Sequence, residues 1–311
     1  QGTAPLSWDQ IMGNIRAVGA NVFVAQGDRP QEEHVAAASI AQKHGLRYMA
    51  TKYTSGYRSI AKKLGSRRAV NRDGFTAEEE AARGMKIQTP HVPCPLDEGL
   101  VNEWLLKPVL GMAESGVIAG CHIDMEAYGA TSYDRTNDNL CYCDHCFNNY
   151  ADKEKLNATV ARSDRVQWLQ QRELLNDYLG HQRDRLADLY HRVAQRVRKV
   201  KPDFIFSVYE NFAPDDLKAF WRIEGVLLGL NSDSVPVFFT DPSHYGVNHT
   251  VPWWESSYSR IRKLGFKHIL GSYAATVYGH HAERAISAEQ WMYEAAMSHD
   301  GYWLWFEHRF G

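Results

Sequence analysis

The sequence predicts a single (β/α)₈ barrel spanning residues 1–311, and three observations carry that prediction. Segments of strand character alternate with segments of helical character until eight strands have been counted. The chain has 311 residues, long for a β-sandwich and ordinary for one closed α/β barrel. A doubly wound sheet would want fewer strands and a phosphate-binding glycine loop, and no such loop is found. Hydrophobic residues make up 44% and charged residues 23% of the chain, which is a globular balance. A formal net charge of -2 without a basic block argues against nucleic acid or an anionic membrane as partner.

The elements follow in order. Residues 7–19 carry Ile11, Ile15 and Val18 at helical spacing, and residues 21–25 form a short β-rich run ending near Gln26. Pro30 opens a second helix through Ala37, Ile40 and Ala41, closed by His44-Gly45, and residues 46–53 read as the second strand. Residues 54–84 are polar and dotted with glycine, a candidate lid or rim in which Thr76-x-x-Glu79 makes a capping box for one short helix. Residues 86–93 read as a third, proline-interrupted strand, 99–115 as a helix, and 117–129 as strand four. The longest helix is expected over 163–201, with its apolar stripe running from Val166 to Val200 and Pro202 as its stop. Strand five follows at 203–209, a helical region at 215–230, strand six at 235–240, a helix at 254–264 and strand seven at 268–273. Ser287-x-x-Gln290 caps the last helix, and strand eight spans 301–306. No linker divides the chain, and a Cys-rich loop occupies about 130–160.

No uninterrupted apolar segment is long enough to cross a bilayer. The N-terminus shows no charged-then-apolar region, so any signal peptide has been removed. A secreted or periplasmic location is favoured over the cytoplasm, with Asn157-Ala-Thr and Asn248-His-Thr as weak glycosylation signals. Oligomeric state is not legible.

Strand four organises the rest. Alternation puts Ile118, Gly120, His122, Asp124 and Glu126 on one face, and Val117, Ala119, Cys121, Ile123 and Met125 on the other. A buried parallel strand is normally a continuous apolar run, so His, Asp and Glu along one face are costly unless they have work to perform. Catalytic groups of such barrels sit at the carboxyl ends of the strands. Those ends here hold Asp124 and Glu126, then Tyr209 and Glu210, Asp241 and Tyr245, Tyr273, and finally Trp305 and Glu307. Any one carboxylate could instead cap a helix or hold a salt bridge; it is their convergence that points to a site.

Paired carboxylates beside aromatic rings suit glycosidic bond cleavage. One carboxyl donates a proton to the leaving oxygen, while another attacks the sugar, activates water or steadies an oxocarbenium-like transition state. Asp124 and Glu126 lie two residues apart on one face, about 6.5–7 Å between Cα atoms. The expected catalytic set is therefore Glu126 with Asp124, and Asp241 and Glu307 as further candidates for the second carboxylate. His122, Tyr209, Glu210, Tyr245, Tyr273 and Trp305 are the expected substrate-binding set.

Cysteine gives a second signal. Cys141-Tyr-Cys143-Asp-His-Cys146 places three thiols within six residues, and Cys94 ends the expected third strand next door. Four thiolates make a closed tetrahedral zinc site; disulfides are the alternative in a secreted chain. His145 could replace one ligand, His91 is expected as a hydrogen-bonded pocket residue, and Cys121 as a buried free thiol.

With Pro93-Cys94-Pro95, Ile123-Asp-Met-Glu126-Ala-Tyr-Gly129 and the Cys141–Cys146 loop on the page, the chain resembles glycoside hydrolase family 42 β-galactosidases. The resemblance covers the region from strand three to the loop after strand four, with an echo in Trp303-Leu-Trp305-Phe-Glu307. It implies Glu126 as acid/base and Cys94, Cys141, Cys143 and Cys146 as ligands of structural zinc, with no organic cofactor. The chain departs from that family in having Met125 where the family has Asn, and in offering no glutamate at the end of strand seven, Gly271-Ser-Tyr273-Ala. The Asp124-Met-Glu126 ending also resembles family 18 chitinases, which implies Asp124 assisting a substrate acetamido group, with Tyr209, Asp241 or Tyr245 orienting it. An inverting arrangement would use Asp241 or Glu307 as base. The expectation is a glycosidase acting on a carbohydrate, with a non-catalytic carbohydrate-binding barrel or a metal-dependent hydrolase or isomerase as alternatives.

Overall fold

The computed structural model describes residues 6–17, 19–25, 29–87, 91–125, 141–209, 220–241, 263–273 and 300–305. Its centre is a parallel sheet of β1 (Val22–Ala25), β2 (Arg47–Tyr53), β3 (Gly120–Asp124), β4 (Ile205–Tyr209), β5 (Phe238–Asp241), β6 (Lys267–Tyr273) and β7 (Gly301–Trp305). Every strand pairs in parallel with the next in the chain. Spatial order thus equals chain order, whereas a doubly wound sheet reverses direction at a switch point.

Helices cover one face. They are α1 (Trp8–Ala17), α2 (Gln31–Lys43), α3 (Thr54–Leu64), α4 (Ala77–Ala82), α5 (Glu98–Val101), α6 (Lys107–Glu114), α7 (Asp144–Lys153), α8 (Arg165–Gln171), α9 (Leu175–Val200) and α10 (Phe220–Leu230). The longest, α9, buries Tyr178, Leu179, Gln182, Leu186, Leu189, Tyr190, Val193 and Val197, a stripe at intervals of mostly three or four. It crosses α10 closely because Gly225 and Gly229 lack side chains: a Cβ there would come within 2.6 Å of the Arg183 carbonyl oxygen and 2.4 Å of that of Ala187.

Three expectations need correction. No strand from residues 86–93 stands between β2 and β3, which pair directly; the described part, 86–87 and 91–93, makes only an isolated antiparallel bridge, Arg68 with Pro93. Its prolines lack the amide that a ladder requires. Seven parallel strands, rather than eight, are therefore found among the described residues. Residues 54–84 open not with a loop but with α3, which follows β2 without a connection and ends at Gly65 in the left-handed conformation. Its buried and half-buried positions, Tyr57, Ile60 and Ala61, recur at helical spacing within what reads as polar sequence. Residues 163–201 are a 3₁₀ turn, α8 and α9 rather than one helix. Glu173 adopts φ 61°, and the Leu174 amide donates back to the Leu169 carbonyl at 2.8 Å, closing α8 before α9 begins. The capping box forms as expected: Thr76 accepts from the Glu79 amide, and the Glu79 carboxylate accepts from the Thr76 amide.

Candidate active site and cysteine centre

The two faces of the sheet differ in chemistry. Tyr48, Ala50, Cys121, Ile123, Phe206, Val208 and Phe239 join the helices in one hydrophobic core. Thr51, His122, Asp124, Ser207, Tyr209 and Thr240, on the alternate positions, are buried outside that core. The period of two separates a polar inner face from an apolar helix-facing one.

Register aligns the inner face into rows. Tyr53 of β2 pairs with Asp124 of β3, Asp124 with Tyr209 of β4, and Tyr209 with Thr240 of β5. Neighbouring strands lie about 4.8 Å apart, so Asp124 sits between two tyrosines at the carboxyl ends of the strands. The next row inward is Thr51, His122 and Ser207. His122 Nδ1 and the Ser207 hydroxyl are 2.7 Å apart, and the His122 ring lies 6.0 Å from that of Tyr209. Burial lowers the His122 pKa to about 4, so the imidazole is neutral near pH 7. Thr51 donates to the Ala25 carbonyl at 2.6 Å and Thr240 to that of Val208 at 3.1 Å, satisfying their hydroxyls within the sheet. The Met125 amide donates to the Tyr209 carbonyl at 2.8 Å and extends the β3–β4 ladder to the residue before Glu126.

Of the expected site residues, His122, Asp124 and Tyr209 come together, with Asp124 only 2% exposed. Asp241 ends β5 one position beyond the row of Asp124 and Tyr209, in register with Leu270. Tyr273 and Trp305 end β6 and β7 as register partners. Glu126, Glu210, Tyr245 and Glu307 lie outside the described residues. The sequence reading missed Thr51, Tyr53, Ser207 and Thr240; alternation within β2, β4 and β5 groups them by face, but only the register between strands sets which of them stands beside Asp124. His91 is not on the inner face. It lies 3.0 Å from the Arg68 guanidinium and 3.5 Å from Glu78, and burial followed by the Arg68 charge lowers its pKa.

The cysteines form a second centre. The Sγ atoms of Cys94, Cys141, Cys143 and Cys146 all lie within 4.8 Å of one another and are buried, a group able to hold a metal ion. Cys94 and Cys146 stand 3.4 Å apart with no disulfide, and His145 is not in the group. Hydrogen bonding from Cys141, Cys146 and Cys94 lowers the Cys143 pKa, whereas burial raises that of Cys141. Four sulfurs gathered this closely, from two separate stretches of chain, form a group a cation could occupy.

The surroundings are rigid. The Cys141 amide donates to Gln182 Oε1 at 3.0 Å and its carbonyl accepts from the Tyr178 hydroxyl at 2.6 Å. The Arg165 guanidinium, itself buried, donates to the Tyr142 carbonyl at 2.5 Å and to Asp144 at 2.6 Å. The Cys94 amide bonds the Arg67 carbonyl, and the Tyr142 amide that of Val70. Cys121 stands apart on the helix-facing side as the expected free thiol, its pKa pushed up to about 12 by burial.

No protein-family model and no curated protein sequence matches the chain. Among solved structures, it is similar to a β-galactosidase from the Antarctic haloarchaeon Halorubrum lacusprofundi, with TM-score 0.59 and 12% identity, over 96% of this chain and 50% of that one. It is also similar to a β-galactosidase from Bacillus circulans sp. alkalophilus, with TM-score 0.57 and 13% identity, over 96% of this chain and 48% of that one. The chain spans about half the length of these two β-galactosidases. At these identities the likeness is one of fold.

Proposed function

We propose that the chain is a glycoside hydrolase built on a single (β/α)₈ barrel, with Glu126 as the proton donor. One observation carries the reading: the buried Asp124, two residues before Glu126, ends a central parallel strand in a polar row with Tyr209. The fold shared with two β-galactosidases supports it and makes β-galactosides the first substrates to try.

The roles follow from placement. Glu126 protonates the leaving glycosidic oxygen, and a second carboxylate stabilises the charge that develops at the anomeric carbon. Asp124 is the favoured partner because it lies two residues before Glu126 at the end of the same strand, buried in the row with Tyr209. On a substrate with an acetamido group Asp124 would assist that group, as the resemblance to family 18 chitinases implies; Asp241 or Glu307 would act instead as general base in an inverting reaction. Glu210, Tyr245, Tyr273 and Trp305 would contact the sugar, with His122 and Tyr209 buried in the rows behind them.

Zinc fits the cysteine centre. Four thiolates at about 2.3 Å from the ion complete a tetrahedron and leave no position for substrate, so the metal would fasten the segment after β3. No organic cofactor is needed.

The test is turnover of aryl glycosides and oligosaccharides by the wild type and Glu126→Gln, with proton NMR of the anomeric product. A loss of about 10²-fold or more in the variant supports Glu126 as general acid, and equal rates refute it. The absence of a glutamate from the end of β6 favours a second reading, a carbohydrate-binding barrel without hydrolysis. Sugar binding by a wild type that cleaves none of the panel would select it.

A further inference from the structure

We infer that Tyr53 is the sugar-stacking platform of this site, a role resting on the carbohydrate reading above. Tyr53 is the last residue of β2 and the register partner of Asp124. Alternation puts it in phase with Thr51 on the inner face, whereas Tyr48 and Ala50 belong to the helix-facing core. The tyrosines flanking Asp124 differ in access. Tyr209 is fully buried and has no ring face to offer a ligand, whereas Tyr53 is half-buried and keeps part of its surface exposed.

Its backbone is held firmly. The Tyr53 carbonyl accepts from Trp104 Nε1 at 3.1 Å, and Trp104 is itself buried and packs edge-on against Tyr57 at 4.9 Å. Tyr53 is extended, and α3 begins at the next residue with no loop between them. The residue therefore sits at a junction of two regular elements, so its backbone has little freedom left to lose on binding. A pyranose presents apolar C–H faces that pack on aromatic rings while its hydroxyls turn to polar groups. Tyr53 supplies the ring and Asp124, next in the row, a polar group.

The test uses the full chain as wild type and as Tyr53→Phe, Tyr53→Leu and Tyr53→Ala. Each is titrated calorimetrically with methyl β-D-galactopyranoside, mannobiose and xylobiose, and assayed on p-nitrophenyl β-D-galactopyranoside. Stacking requires the ring and not the hydroxyl, so Phe should bind within about twofold of wild type. Leu and Ala should weaken binding about fivefold or more, raising KM while kcat changes little. Leu keeps apolar volume and guards against a folding defect in Ala. The inference is overturned if Leu binds as wild type does, if Phe loses as much as Leu, or if the wild type binds none of the three sugars. A sugar bound through Tyr53 and never cleaved would refute the glycosidase reading alone. Hydrolysis that needs Glu126 but ignores Tyr53 would refute the platform alone.

Discussion

Loading the four-cysteine centre with zinc should raise the thermal midpoint of the chain by roughly 8–16 °C over the chelator-treated protein. The starting point is geometry. A tetrahedral ion with metal–sulfur bonds of about 2.3 Å sets its sulfurs about 3.8 Å apart. Here Cys94 and Cys146 are 3.4 Å apart and all four sulfurs lie within 4.8 Å. The sulfurs need shift by only about 1 Å or less, and the anchors on Cys141, Tyr142 and Cys94 already hold the backbone, so loading costs little strain. Free metal at a thousandfold its dissociation constant then stabilises by about 4 kcal/mol. In a chain of this size each kcal/mol moves the midpoint by about 2–4 °C. Differential scanning calorimetry after chelator dialysis, with and without added zinc, reads the shift, and elemental analysis should return one zinc per chain. Cys146→Ser should lose most of both signals. Identical midpoints in the two preparations, together with no retained metal, would refute the assignment.

Two further perturbations test the sheet. Gly120→Ala would place a Cβ 2.3 Å from the Ile205 carbonyl oxygen of β4, so the strands must part; a loss of about 1–3 kcal/mol is expected in urea unfolding, and an unchanged midpoint would contradict the β3–β4 approach. His122 has its pKa lowered from 6.5 to about 4, so between those values the unfolded chain binds the extra proton; stability should fall by about 3 kcal/mol as pH drops through that window and stay flat above it. Urea midpoints measured across pH 4–7 should show a shallower slope in His122→Gln than in the wild type, the remainder coming from groups such as His91 whose pKa is also lowered; equal slopes would place the titration elsewhere.

The sequence made the parallel α/β plan legible because strand and helix periods differ so sharply. β3, with Cys121 and Ile123 facing helices and His122 and Asp124 turned inward, could be read from alternation alone. The cysteine centre was equally legible, since three clustered thiols and a fourth beside the neighbouring element leave few arrangements. The expected strand at 86–93 failed because its apolar residues suggest a strand while its prolines deny it a ladder. The break at Glu173 was hidden, since a left-handed residue other than glycine gives no compositional sign. Tyr53 was missed for another reason: register is a property of pairs of strands, and one strand read alone does not reveal which residue will stand beside Asp124.

A metal shared by Cys94 and Cys146 would do more than anchor a segment. The two are 52 positions apart, and β3 lies wholly between them, so the ion would turn the polar strand and its flanks into a closed ring of chain. Ring closure of this length removes entropy from the unfolded ensemble equivalent to about 4 kcal/mol. A peptide bond cut inside the ring would leave both pieces clasped by sulfur. A nicked chain would then migrate as one species until a chelator opened the clasp.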